Sequence, residues 1–220
     1  MASAPLPRLA VLASGRGTNL QAILDAIDAG TLDAKVVGVF SDRPDAAALG
    51  RVPAALRWSD APSAHPSRET FDETLGNALA DARPDWVVCA GYLRILSDAF
   101  VDRFRGRLLN IHPSLLPRYR GLRTHARVLE AGDAEHGASV HFVVPELDAG
   151  AVVAQARVPV HPGDDDKALA ERVLAVEHPL LLQVLRLAVA GRLAERNDTV
   201  LVDGHALFTP LPLDWNGCRN

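Results

Sequence analysis

Apolar runs too short to be helices alternate, through the first half of the chain, with stretches whose apolar residues recur every three or four positions. The runs are Leu9–Ala13, Lys35–Phe40, Asp85–Ala90 and Arg107–Ile111. Between the first two, Leu20, Ile23, Leu24 and Ile27 fall on one helical face, and Gly30 ends the pattern. Asp85–Ala90 is apolar without alternation, as in strands buried on both faces of a parallel sheet. Parallel neighbours need long crossovers, and the intervening helical stretches supply them. The expected class is α/β: one domain, with a mostly parallel twisted sheet covered by helices on both faces.

The remaining elements are read the same way. A short helix is expected over Pro44–Leu49 and a weak strand within Val52–Trp58. A Ser/Pro/His-rich loop, Asp60–Pro66, precedes a helix over Ser67–Ala82. Ser97 is the candidate N-cap of a helix through Phe104. A short helix over His125–Ala131 is closed by Gly132, and strands are expected over Ala138–Val144 and Ala151–Val158. Asp165–Ala190 reads as a long helix, with a kink or break expected at Pro179. Leu193–Glu195 and Thr199–Val202 suggest a small hairpin, and residues 203–220 an irregular tail after a domain spanning 8–202.

Composition narrows the function classes. Of 220 residues, 23 are Lys or Arg and 27 Asp or Glu, a formal net charge of -4 without a basic run. That argues against a chain whose main task is nucleic-acid binding. Two cysteines, Cys89 in an apolar run and Cys218 near the C-terminus, make neither a disulfide framework nor metal-ligand spacing. No metal is expected. With no signal-like start and no membrane-length apolar run, the expectation is a soluble cytoplasmic protein.

The residues that suggest chemistry begin with Asn110-Ile111-His112-Pro113, at the end of an apolar strand. Residues two apart on a strand share a face, so Asn110 and His112 project together before Pro113 stops the ladder. A donor amide beside an imidazole suits a reaction in which a carbonyl oxygen gains negative charge; the alternative is a capped turn. Ser14-Gly15-Arg16-Gly17-Thr18-Asn19 joins a strand to a helix. It offers backbone amides to a phosphate, or is a turn with Thr18 or Asn19 as cap. It lacks the Gly-Lys-Ser/Thr end of a triphosphate loop. Asp148, in the loop Pro145–Gly150, is ordinary turn chemistry unless it folds back to His112, where it would favour the imidazolium and raise its pKa. Glu177, Arg68 and Arg94 are charged residues with solvated faces or local acids as the plain alternative. Gly91–Leu96 follows the carboxyl end of a parallel strand, where ligand crevices form. His141 faces either the site or the core. His65, His136, His161 and His205 fall in loops or turns and carry no role.

Six ordered segments resemble the 10-formyltetrahydrofolate-dependent formyltransferases. They are Ser14–Gln21, Ala90–Leu96, Leu109–Pro117, Gly121–His125, Glu135–Phe142 and Glu146–Asp148. Asn-x-His-Pro-Ser-Leu-Leu-Pro marks the wider family, and Gly-Leu-x-Thr-His its glycinamide ribonucleotide branch. The resemblance implies a Rossmann-like formyltransferase fold. It implies Asn110, His112 and Asp148 as the catalytic trio, and Gly17, Thr18 and Asn19 as the holder of the substrate 5′-phosphate. Glu177 would be a further substrate contact. Arg68, Leu93, Arg94, Ile95, Leu96, Asn110, Val144, Pro145, Glu146, Leu147 and Asp148 would form the folate site. Three positions depart from the family: Ala149 replaces a common glycine, Leu174 a polar residue and Arg120 a common proline.

The reaction implied is formyl transfer from 10-formyltetrahydrofolate, as co-substrate, to the glycyl amine of glycinamide ribonucleotide in purine synthesis. No nucleic-acid or membrane partner is implied, and homodimerisation is left open. Two relatives sharing the trio are the rival readings. Methionyl-tRNA formyltransferase carries a C-terminal tRNA-binding domain. Formyltetrahydrofolate hydrolase usually carries an extra N-terminal regulatory domain. A sugar-phosphate sensor is the non-enzyme alternative, and a complete trio counts against it.

Overall fold

A computed structural model describes residues 5–213 of the chain. Cys218 and the end of the expected tail lie outside them. Contacts gather into two compact units, Met1–Leu109 and Asn110–Asn220.

In the first unit, β1 (Arg8–Leu12), β2 (Lys35–Ser41), β3 (Arg57–Ser59) and β4 (Trp86–Cys89) lie in the order β4-β1-β2-β3. All three pairings are parallel, with Leu12 beside both Phe40 and Cys89. Leu9, Ala10, Val11 and Leu12 are fully buried, as an unalternating apolar run requires. The crossover helices are α1 (Thr18–Asp28) and α2 (Arg68–Ala82), followed by α3 (Asp98–Arg103). α1 buries Leu20, Ile23 and Ala26 at helical spacing. Ser67 caps α2 in a capping box with Thr70, and Ser97 caps α3 as expected. Two local expectations change. Pro44–Leu49 is not an α-helix but leads into a 3-10 helix at Ala47–Arg51, and only Arg57–Ser59 of the Val52–Trp58 stretch is a strand. Neither segment is long enough to repay nucleation of a regular element by itself.

β5 (Leu108–His112) runs across the boundary residue. The second unit continues with α4 (Thr124–Ala131), β6 (Glu135–Phe142), β7 (Val152–Pro159), α5 (Asp166–Val189), β8 (Leu193–Arg196), β9 (Thr199–Val202), β10 (His205–Ala206) and β11 (Leu211–Pro212). Its sheet order is β11-β7-β6-β5, with β6 and β7 antiparallel and β11 parallel to β7. α5 packs on β6 and β7 through a stripe that includes Leu169, Val173, Leu180, Val184 and Leu187. Fully burying each such side chain is worth about 1.5–3 kcal/mol. That burial explains why the helix runs unbroken through Pro179 instead of breaking there: tertiary packing outweighs one missing backbone hydrogen bond.

Three further expectations are corrected here. β6 starts at Glu135 and ends at Phe142, so His136 is a buried strand residue, not a loop residue. The hairpin β8–β9 gains β10 as a third strand. The stretch expected as irregular tail contributes β10 and β11; Leu211, buried, pairs with Ala154 of β7. Such two-residue strands leave almost no periodicity in a sequence. The α/β class and the mostly parallel character stand as read.

Candidate active site

Three loops meet at the carboxyl ends of the first unit's strands. The β1 loop is fixed by Ala13 N bonding to Phe40 O and Ser14 N to Gly91 O, both at 3.0 Å. The Ser14 hydroxyl donates to Asp42 at 2.5 Å and accepts from Leu93 N at 3.0 Å. In the order β4-β1-β2-β3 the connections diverge on either side of β1, the switch point where α/β sheets hold ligands.

Gly17 stands at the start of α1 with φ +70°, and a Cβ there would lie 2.7 Å from Cβ of Ala48. Both the backbone angle and the space demand glycine. No side chain caps α1, so the reading of Thr18 or Asn19 as a cap is not realised. Uncapped first-turn amides and the helix dipole favour an anion. Arg51 closes the loop from behind, bonding Arg16 O at 2.8 Å and the Gln21 side chain at 2.7 Å.

Leu93 and Ile95 are exposed apolar side chains, while Leu96 is buried. The Arg94 guanidinium stacks 5.1 Å from the Phe71 ring centre, and its Nε has no partner. Beside it, the buried Asp72 carboxylate accepts from Ser97 N at 2.5 Å; burial pushes its pKa up. Arg68 is exposed and pairs with Glu69 at 3.4 Å, the local acid that the sequence allowed.

The second unit brings Asn110, His112 and Asp148 together. Asn110 and His112 share a face of β5, two residues apart, and Asp148 comes back from the loop after β6. One carboxylate oxygen of Asp148 lies 3.4 Å from His112 Nδ1 and accepts from Gly121 N at 2.8 Å. The other lies 3.5 Å from Asn110 Nδ2. Asp148 adopts φ +48°, a left-handed conformation that aspartate tolerates. His112 is only 6% exposed, and its Nε2 donates to Tyr119 O at 3.0 Å. With Nε2 carrying that proton, Nδ1 facing the carboxylate is where a second proton would sit.

The pKa of His112 differs from expectation. Burial holds it below the ordinary imidazole value; Asp148 and the Tyr119 carbonyl push it up without prevailing. Sequence reasoning counted the carboxylate and missed the desolvation. Asp148 itself is held below the usual carboxylate range, where the adjacent His141 and His112 rings and the Gly121 N–H together outweigh burial.

Around the trio, Arg120 reaches Glu146 at 2.5 Å and Arg127 bonds Arg120 O at 2.6 Å, so the loop at Arg120 is tied to the Val144–Asp148 loop. Arg120 thus has a role that the proline common in relatives would not supply. Ala149 is absent from the positive-φ positions, so a glycine's freedom is not needed there. Val144 and Pro145 are half-buried, Leu147 is exposed and Glu177 lies half-buried on α5. His141, left between site and core, is in the site: its Nε2 is 3.1 Å from Asn110 Nδ2. His136, given no role, bonds His125 at 3.0 Å, and burial together with the neighbouring His125 holds its pKa down to about 4. A histidine pair 11 residues apart leaves no local signal. Among the described residues no group of acidic, His or Cys side chains is arranged to hold a metal, and no helix is long and apolar enough to cross a membrane.

A family model described as formyl transferase matches residues 7–185. The phosphoribosylglycinamide formyltransferase of Escherichia coli (strain K12) is 46% identical over 201 residues, covering 90% of this chain and 95% of the relative. Its counterpart in Haemophilus influenzae is 42% identical over 208 residues, covering 92% and 96%. Among solved structures, the phosphoribosylglycinamide formyltransferase of Coxiella burnetii superposes with a TM-score of 0.88 at 42% identity, covering 95% of this chain and all of that one. A formyltetrahydrofolate deformylase from Pseudomonas syringae, at 24% identity and a TM-score of 0.81, shares the fold. The chain therefore belongs to the formyl transferase family, and within it to the group of the phosphoribosylglycinamide formyltransferases.

Proposed function

We propose that the chain transfers the formyl group of 10-formyltetrahydrofolate to the glycyl amine of glycinamide ribonucleotide, a step of purine biosynthesis carried out in the cytoplasm. The observation that carries the chemistry is the convergence of Asn110 and His112 on Asp148, whose carboxylate lies within 3.5 Å of each. The neutral amine attacks the formyl carbon, and the carbonyl oxygen becomes an oxyanion. Asn110 donates an N–H to it. His112, whose pKa burial holds down, takes up a proton from solvent as negative charge appears beside it and returns it when the oxyanion collapses; in between, its imidazolium stabilises the intermediate. Asp148 orients the ring and attracts the proton at Nδ1. The amine's proton passes through Asp148 or water to the folate nitrogen, the carbon–nitrogen bond to that nitrogen breaks, and tetrahydrofolate leaves.

In this reading Gly17, Thr18 and Asn19 hold the 5′-phosphate with backbone amides, and Glu177 contacts the amine or ribose hydroxyls. Leu93 and Ile95 offer apolar cover to the folate ring system; Arg94 and Leu96, and separately the Val144–Asp148 segment, are its further contacts. Arg68 offers a cation to a folate carboxylate. These assignments follow the family motifs, the uncapped start of α1 and the exposure of the two apolar side chains.

The test follows tetrahydrofolate release spectroscopically, with and without glycinamide ribonucleotide. Release that requires the ribonucleotide is expected. Release that does not require it would make the protein a hydrolase, and efficient formylation of methionyl-tRNA would move it to that branch.

A further inference from the structure

The register of β6 against β7 breaks at one place. Val140 faces Ala154 and His141 faces Val152, so Val153 is the extra residue of a bulge. Bulges re-aim side chains. His141, 1% exposed, turns its ring toward Asn110. The next residue is fixed: Phe142 N bonds Ala151 O at 3.0 Å, and a Cβ on Gly150 would lie 1.9 Å from the Phe142 carbonyl oxygen. That carbonyl oxygen is 2.8 Å from Nδ1 of His141. A carbonyl only accepts, so Nδ1 carries the hydrogen. In the neutral ring Nε2 then presents a lone pair.

The lone pair is 3.1 Å from Asn110 Nδ2. An amide turned the other way would set its oxygen against that lone pair, acceptor against acceptor. The tautomer of one buried histidine therefore fixes which end of the Asn110 amide is the donor end. One N–H is used by His141. The other makes only the long 3.5 Å contact to Asp148 and is easily exchanged for a stronger acceptor.

We propose that His141 is a positioning residue: acting through Asn110, its Nε2 lone pair holds the amide nitrogen in place as donor to the oxyanion. The inference rests on the oxyanion-donor role given to Asn110 above. Acting through Asn110, His141 should affect turnover and not binding.

Two substitutions separate this role from packing. His141→Gln keeps an acceptor near the Nε2 position. His141→Asn keeps a donor for Phe142 O but has no atom at Nε2. Steady-state constants are measured for both, with Asn110→Ala and the Asn110→Ala/His141→Asn double variant alongside. Misaiming one oxyanion donor is expected to lower kcat of His141→Asn by about 10–100-fold, short of the roughly 100–1,000-fold seen when such a donor is removed. Both KM values should stay within about threefold, as expected for an interaction made only in the transition state. His141→Gln should recover most of the loss, and His141→Asn should cost little more once Asn110 is gone. Equal losses in the Asn and Gln variants, or a full further loss in the Asn110→Ala background, would overturn the proposal. Full activity of Asn110→Ala would remove the role of Asn110 as well, whereas an inactive Asn110→Ala beside a fully active His141→Asn would refute His141 alone. If His141→Asn does not fold, His141→Leu takes its place under the same criteria.

Discussion

Replacing Asp148 with asparagine removes one charge and almost no volume, which makes it the sharpest perturbation of the site. The carboxylate faces four partners: Gly121 N at 2.8 Å, His112 Nδ1 at 3.4 Å, Asn110 Nδ2 at 3.5 Å and His141 Nε2 at 3.6 Å. An asparagine that keeps its oxygen on Gly121 N must turn its NH2 toward Asn110 Nδ2, donor against donor. For His112 the loss is larger. At an effective dielectric of about 20, unit charges 3.4 Å apart attract by about 5 kcal/mol. A neutral amide oxygen in the same place retains about 1–2 kcal/mol of hydrogen bonding. The imidazolium form should therefore lose about 3–4 kcal/mol, a fall of roughly 100–1,000-fold in kcat. Asp148 is one of the groups raising the His112 pKa, so the substitution should lower that pKa further. Stopped assays of tetrahydrofolate release give kcat, and NMR titration of the imidazole gives the pKa. Turnover within about tenfold of the unaltered protein, or a His112 pKa that does not fall, would refute the electrostatic account.

Two other outcomes are expected. Gly17→Ala must place a side chain at φ +70° against Ala48, so it should destabilise the fold by about 1–3 kcal/mol and raise the KM for the ribonucleotide more than that for folate. Chemical melts and substrate titrations measure both, and unchanged ribonucleotide KM in a folded variant would disconnect the loop from phosphate. The His125–His136 pair predicts an acid-sensitive fold. His136 is held at about 4 and His125 is also lowered, whereas an unfolded imidazole titrates near 6.5. Below about 6.5 the unfolded chain binds more protons, so stability is full above that pH and falls as the pH drops toward about 4. Denaturant melts across that range should show the fall and His136→Gln should flatten it; equal slopes in the two proteins would exclude the pair as its source.

The sequence by itself determined whatever depends on neighbours along the chain. Apolar runs and helical spacing set β1, α1, β2, α2, β4 and α5, because burial on a strand or helix face has a short period. Asn110 and His112 were legible as a pair because two residues on a strand share a face, and Gly17 because glycine lets a strand-to-helix loop turn tightly and approach a ligand. Tertiary structure decided what depends on distant residues. It brought Asp148 to His112, bonded Gly121 N to the same carboxylate and set Tyr119 O against the imidazole. It also buried His112, and desolvation reversed the pKa shift inferred from charge alone. The bulge that aims His141, the His125–His136 bond and the strand at Leu211–Pro212 come from pairings between segments far apart in sequence. No local periodicity encodes them, since each is selected by the packing and hydrogen bonding of the folded sheet.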